Sequence, residues 1–264
     1  MKNAKLLLIV ALAAFVAALS LTTSGCKSES TEPEVEPITD DLFPLIVSRK
    51  LTFSGYLRDK TTDANIDATG AVYEARMTVS ATSAPTPFGT AHVLSDSQRV
   101  PTGIATPPTI WVVQNFYIQR NPATGSGDFS FLTNIGRIYR LFGIQRTDTL
   151  RWVLLVKQSA GVGVEWTAFD STWTGQVQPG VTGQVRLEVV GKIEGQENLT
   201  LGGQTFTGAY KIVAKRKVYL NGVLATEANT AQLWLMPNIG IVKFIFHADG
   251  ESNGFYREYK SRNF

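Results

Sequence analysis

Long stretches of this chain alternate apolar and polar residues, and that pattern limits what it can fold into more than any other feature. "QVRLEVVGKI" (Gln184–Ile193) sets Val185, Leu187 and Val189 on one side. "TFTGAYKIVAKRKVYL" (Thr205–Leu220) gives Phe206, Tyr210, Ile212 and Ala214 a shared face. "IVKFIFHA" (Ile241–Ala248) sets Val242, Phe244 and Phe246 opposite Ile241, Lys243 and Ile245. A repeat of two belongs to the β-strand, whose successive side chains leave on opposite faces. Helical periodicity is hard to find beyond residue 42, and Asn221-Gly222, Pro237–Gly240 and Asp249-Gly250 supply turns between the alternating runs.

Further strands are expected at 45–58, 71–80, 111–119, 137–144 and 151–157, with 81–108 as a long Pro- and Ser/Thr-rich loop and 121–128 as an exposed turn. The fold class is therefore all-β. A curled antiparallel sheet or half-barrel fits best, and a two-sheet sandwich comes second. The β region spans residues 42–264 as one domain, or as two modules splitting near 148.

The N-terminus carries a different signal. Lys2 and Lys5 precede the unbroken fourteen-residue apolar run Leu6–Leu19, and small or polar residues follow to Gly25. This is the three-part plan of a helical secretion signal, residues 1–25. The run is short for a spanning helix, which needs about 20 apolar residues. Cys26 comes next, and it is the only cysteine in the chain. An exported chain with one cysteine makes no internal disulfide, so the thiol has a task that needs only one.

Ser24-Gly25-Cys26 resembles the lipobox of bacterial lipoproteins, with Thr23 standing where that family usually has Leu. The resemblance implies that Cys26 becomes the first mature residue and carries diacylglycerol on sulfur and an acyl chain on nitrogen. Several chains hold a protein on a bilayer where one would not, at about 0.8 kcal/mol per buried methylene. The residue after the cysteine is Lys27, not the aspartate of inner-membrane retention, so the resemblance implies the outer membrane of the cell envelope, facing the periplasm or the cell surface.

Cys26–Asp41 contains Glu29, Glu32, Glu34, Glu36, Asp40 and Asp41, with Pro33 and Pro37. It is expected to be a disordered, extended acidic tether. The signal carries +2 and the tether −5, so of the chain's +3 the body holds +6. Its basic residues are dispersed apart from "AKRK" (Ala214–Lys217), and no basic-aromatic stripe suits nucleic acid.

"LGGQTFTGAYKI" followed by "LWLMPNIGIVKF" resembles a signature of uncharacterised exported β-proteins of the TapB-like kind. Gly203, Phe206, Trp234, Pro237, Gly240, Val242 and Lys243 carry it. Phe43-Pro44-Leu45 resembles the start of such domains, with Ser48 and Leu51 in place of the usual Gly and Trp. The resemblance brings no catalytic role.

"DANIDATGAVYE" (Asp63–Glu74) is the one metal candidate. Asp63, Asn65, Asp67 and Glu74 take the first, third, fifth and twelfth positions of a calcium loop, with a Thr69 carbonyl between. Ala68 sits where the sharp turn needs Gly, and strands flank it, so a plain Asp-rich loop is the favoured reading and no cofactor is expected. "GESNG" (Gly250–Gly254) has the spacing of a nucleophile elbow, but a strand follows it and no histidine does, so it reads as a hairpin turn. His92 and His247 are the only imidazoles, too few for a zinc site.

The resulting expectation is a non-enzymatic lipid-anchored envelope protein that binds or scaffolds. Its partners are the membrane, through the lipid, and a hydrophobic ligand or an envelope protein. An envelope-polymer hydrolase using carboxylates such as Glu165 and Asp170, and a calcium-stabilised adhesion module, are the alternatives. Cys26→Ala is expected to abolish fatty-acid labelling and release the protein from membranes; persistent labelling would rule out lipidation at this residue.

Overall fold

The computed structural model describes residues 37–59, 62, 64–66, 70, 72–99, 111–120, 127–134, 149–247 and 253–264, so the signal segment and Cys26 lie outside the described residues. Twelve strands follow one another: β1 Lys50–Asp59, β2 Tyr73–Thr86, β3 Gly89–Arg99, β4 Trp111–Arg120, β5 Phe129–Asn134, β6 Leu150–Val156, β7 Glu165–Gln178, β8 Val181–Leu201, β9 Gln204–Leu220, β10 Val223–Met236, β11 Gly240–His247 and β12 Asn253–Arg262. The described residues hold no α-helix, only a single 3-10 turn at Gln158–Ala160.

All twelve strands form one antiparallel sheet in the order β6-β5-β4-β3-β2-β1-β12-β11-β10-β9-β8-β7. Two six-stranded meanders, β1–β6 and β7–β12, are thus joined by the pairing of β1 with β12. The chain passes between meanders at 157–164, and both meanders line one core. Phe53, Leu94, Ile118 and Phe129 of the first meet Ile193, Ile212, Leu233 and Ile241 of the second.

The sheet curls until its two edges meet. Trp166 on β7 donates its indole N–H to the carbonyl of Leu154 on β6, at 2.9 Å. Its ring lies over Gly191, where a Cβ would fall 2.4 Å from the indole. The result is a nearly closed barrel, the far limit of the curled sheet that the alternation predicts.

Barrel diameter grows with strand number, and about eight strands already give an interior that side chains alone just fill. Twelve leave more room. The chain fills one end with its own N-terminal segment. Ile38, Leu42, Phe43 and Leu45 are buried in the main core, and Leu42 is fully enclosed. Phe43 packs on Phe129 and Phe131 at ring distances of 5.5 and 6.2 Å. The backbone of this plug is tied to the wall. Ile38 N–H donates to the Gln158 carbonyl, the Gln158 amide donates to the carbonyls of Ile38 and Asp40, and Asn238 N–H donates to the Asp41 carbonyl. Arg120 donates to both Asp41 carboxylate oxygens at 2.9 Å. At the end of the expected tether, Ile38 is buried and Asp41 is held by Arg120, while Pro37, Thr39 and Asp40 stay exposed. The sequence pattern understated Ile38 because its partners lie more than a hundred residues away.

Three further differences have local causes. The expected loop at 81–108 is largely the hairpin β2–β3, turning at Pro87-Phe88; its Ser, Thr and Ala residues hide the alternation, and bulges at Ala81 and Ala84 break its register. Within β11, a bulge opposite Trp234/Leu235 moves Val242 to the outer face while Ile241, Phe244 and Phe246 join the interior. Trp234 and Val242 are then covered from outside by Leu201 and Phe206 of the β8–β9 hairpin, and Phe206 meets Tyr259 edge-on at 4.9 Å. Ser48, where the resembled domains have Gly, sits at φ 69 in the turn leading into β1. The Asn221-Gly222 turn is as expected, with φ of 50 and 83.

Because the plug is part of the core, Leu42→Ala is expected to destabilise the fold by about 2–5 kcal/mol, the usual cost of a buried Leu truncation. Urea unfolding of the Cys26→Ala chain measures this, and a loss under about 1 kcal/mol would show that the segment is a surface strap rather than core.

Candidate functional site

Alternation places two charged residues among the inward positions. Asp96 follows Leu94 on the same side of β3, and Arg257 follows Phe255 on the same side of β12. Three strand steps separate β3 from β12. The two side chains meet inside the barrel, where Arg257 Nη1 donates to both Asp96 oxygens at 2.8 and 3.0 Å. Arg257 Nη2 donates to Gln98 Oε1 at 2.6 Å, and its Nε reaches the Tyr73 hydroxyl at 3.4 Å. Arg257 is 2 % exposed and Asp96 4 %.

Gly55 makes the crossing possible. It lies between Arg257 and Tyr73 in the β-ladder, and a Cβ there would sit 2.6 Å from the Tyr256 carbonyl and 3.0 Å from Arg257 Cγ. Burial pushes the Asp96 carboxyl above its ordinary range, and Arg257 pulls it part of the way back. Tyr73 is raised by the same burial. With both Asp96 oxygens engaged by a guanidinium that does not deprotonate, the pair offers no base for proton transfer. It can set geometry, and it can present charge to a neighbour.

Its neighbours are aromatic. Phe244, Phe246 and Phe255 are half-buried and lie 5.2–6.2 Å apart, and the Arg257 guanidinium stands 5.0 Å from the Phe255 ring. This cluster lies beyond the plug, toward the end of the barrel where β1 finishes and β12 begins. At the plug end, Phe43, Leu51, Met77, Leu94 and Ile241, with the exposed Phe264, border a partly open hollow of about 30 Å³, room for a single water. Larger hollows lie elsewhere among the described residues. One of about 440 Å³ is bordered by Glu194, Lys211, Lys215 and Glu227, whose charges pair across the strands at 3.0–3.5 Å.

The residues singled out in the sequence do not come together. Asp63, Asp67 and Thr69 lie outside the described residues. Asn65 bridges Arg58 through the backbone, while Glu74, on β2, is held by Arg76 at 2.7 Å and Lys260 at 3.4 Å. Gly250, Glu251 and Ser252 also lie outside the described residues, and Asn253-Gly254 opens β12. Asp170 is occupied by Arg186 at 2.7 Å, and Glu165 is exposed. His92 belongs to β3 rather than a loop; burial and the nearby Arg120 hold its imidazole below its ordinary value of 6.5. His247 stands 3.1 Å from Arg58. Among the described residues, no three His, Cys, Asp or Glu side chains gather as metal ligands. "AKRK" is no patch: Ala214 is buried inside, Lys215 pairs outside with Glu227, and burial of Arg216 depresses its ordinary basicity.

No protein-family model and no curated protein sequence matches the chain. Two solved structures resemble its fold. One is a candidate lipoprotein of Parabacteroides distasonis, 12% identical, with a TM-score of 0.41, covering 86% of this chain and 100% of its own. The other is a candidate exported protein with YmcC-like fold from Bacteroides fragilis, 13% identical, with a TM-score of 0.45, covering 85% of this chain and 100% of its own. At that distance neither lends this chain a residue role or an activity.

The Arg257–Asp96 pair was legible in the sequence only as two charges on the apolar side of alternating runs, "VLSDSQ" and "GFYREY". Replacing one partner strands the other. Arg257→Met is expected to cost about 3–5 kcal/mol, whereas Arg257→Met with Asp96→Leu recovers most of it. Chemical denaturation of the four members of the cycle reads the coupling, and additive losses would mean that the two groups act independently.

Proposed function

We propose that this protein is a lipid-anchored component of the bacterial cell envelope, held at the outer membrane by an acylated Cys26, and that it acts by binding or scaffolding rather than by catalysis. The anchor rests on the signal segment and the lone cysteine. The preference for scaffolding over carriage rests on one observation: the chain's own Ile38–Leu45 occupies the interior at the plug end. A carrier keeps its lumen for its cargo, and pockets for small molecules run to ~300–1,000 Å³. The described carboxylates that come together do so around a cation: Asp170 and Glu188 on Arg186, Glu194 and Glu197 on Lys211, and Asp96 on Arg257.

A second reading keeps the hydrophobic ligand. The half-buried Phe244, Phe246 and Phe255 would receive an apolar tail, with Arg257 at its base. Native mass spectrometry of the exported Cys26→Ala chain separates the two readings. A clean mass is expected. A co-purified mass of lipid size would replace the scaffold with a carrier and direct attention to that wall.

A further inference from the structure

The plug fixes where the anchor leaves the body. Pro37 and Ile38 lie beside Gln158, just past the end of β6. Asp41 reaches Arg120 on one side and Asn238 on the other, so the segment crosses the mouth of the barrel at this end. The same end holds the entry to β1, the β2–β3 turn, the 157–164 connection and the C-terminus. The eleven residues from Lys27 to Pro37 separate it from Cys26. In an extended polyproline-like form at about 3.1 Å each they span roughly 34 Å. A ten-residue strand such as β1, about 33 Å long and tilted by about 40° in a barrel wall, rises about 25 Å along the axis. For the far end to meet the bilayer, the tether would have to double back along the outer wall and use about three quarters of that reach.

The plug end also carries apolar side chains in solvent. Ile46, Val47, Phe88, Val162, Val164 and Phe264 are 37–49 % exposed. Phe264 is flanked by two guanidinium groups, Arg49 at 4.3 Å and Arg262 at 5.2 Å. Apolar tips beside arginines suit the boundary between acyl chains and anionic phosphates. The wall itself is no spanning surface: Glu74, Arg76, Lys211, Lys243 and Glu258 occupy its outward positions, where a spanning barrel has an apolar belt. The far end exposes Ile66, Val72, Val113, Val181, Val223 and Leu224, by 41–70 %, so exposure alone does not choose between the ends. The path of the chain does.

We infer that the plug end is a membrane-docking face: it rests on an anionic bilayer, with Phe88, Val162 and Ile46 in the interface and Arg49 and Arg262 over lipid phosphates. This inference depends on the anchoring at Cys26 proposed above. It makes the lipid the first of two contacts and leaves the far end, with its aromatic wall, pointing away from the membrane.

The lone cysteine supplies the test, because a thioether at Cys26 leaves no thiol. The full lipidated chain carrying Phe88→Cys, and separately Val162→Cys or Val223→Cys, is labelled with an environment-sensitive fluorophore. Each is reconstituted in phosphatidylethanolamine–phosphatidylglycerol vesicles containing brominated acyl chains. Quenching at positions 88 and 162 is expected to exceed that at 223 at least about threefold, a difference well beyond rotamer-scale motion of a label. Equal quenching at the two ends, or more at 223, would overturn the docking face even though the protein floats with the vesicles. Failure of the unlabelled chain to float would instead remove the anchor, and the orientation with it.

Discussion

The width of a twelve-stranded barrel governs this structure. A sheet of twelve twisted strands closes around a lumen that ordinary side chains do not fill, and an empty apolar lumen forfeits dispersion contacts on every wall. The chain answers by folding its own Ile38–Leu45 into one end. The plug then becomes the point through which other features connect. It ties β6 to the N-terminal segment through Gln158, pins the β4 end through Arg120, and bridges the mouth to the β10–β11 turn at Asn238.

The second constraint is the closure itself. Pairing β1 with β12 brings the ends of the chain together, and Trp166 completes the circle by bonding to the edge strand β6 while lying against Gly191. An exposed, open edge on β6 or β7 would invite pairing with another chain. Bringing the two edges together limits that hazard. The buried Arg257–Asp96 pair acts on the same level. A charge pair in an apolar lumen gives little net stability, but any slip of β12 or β3 by one residue would turn one charge outward and strand the other. Gly55 leaves the floor clear for the crossing.

These features bear on function in opposite ways at the two ends. The plug end is filled by Ile38–Leu45 and shows apolar tips beside arginines. The opposite end keeps three half-buried phenylalanines above a buried guanidinium. A body that rests on a membrane with its plugged end would turn this aromatic wall toward the rest of the envelope. The charged outer wall, where Lys211, Lys215 and Arg186 are each matched by carboxylates, presents no comparable concentration of one sign.

The sequence by itself determined that the body is antiparallel β, because a period of two admits no other regular structure, and it placed the Asn221-Gly222 turn and the strands at 111–119 and 151–157 to within a residue or two. It also set out the signal segment and the lone Cys26, since those are linear patterns read without a fold. Tertiary structure alone decided that the sheet closes, that Ile38 and Leu42 belong to the core, and that Asp96 meets Arg257. The β1–β12 pairing, the Ile38–Gln158 contacts and the Asp96–Arg257 pair each join residues more than a hundred positions apart, and alternation records which side a residue faces but not what faces it. The bulge that turns Val242 outward shows the same limit at short range: one extra residue in a ladder reverses a face, and only the partner strand reveals where it sits.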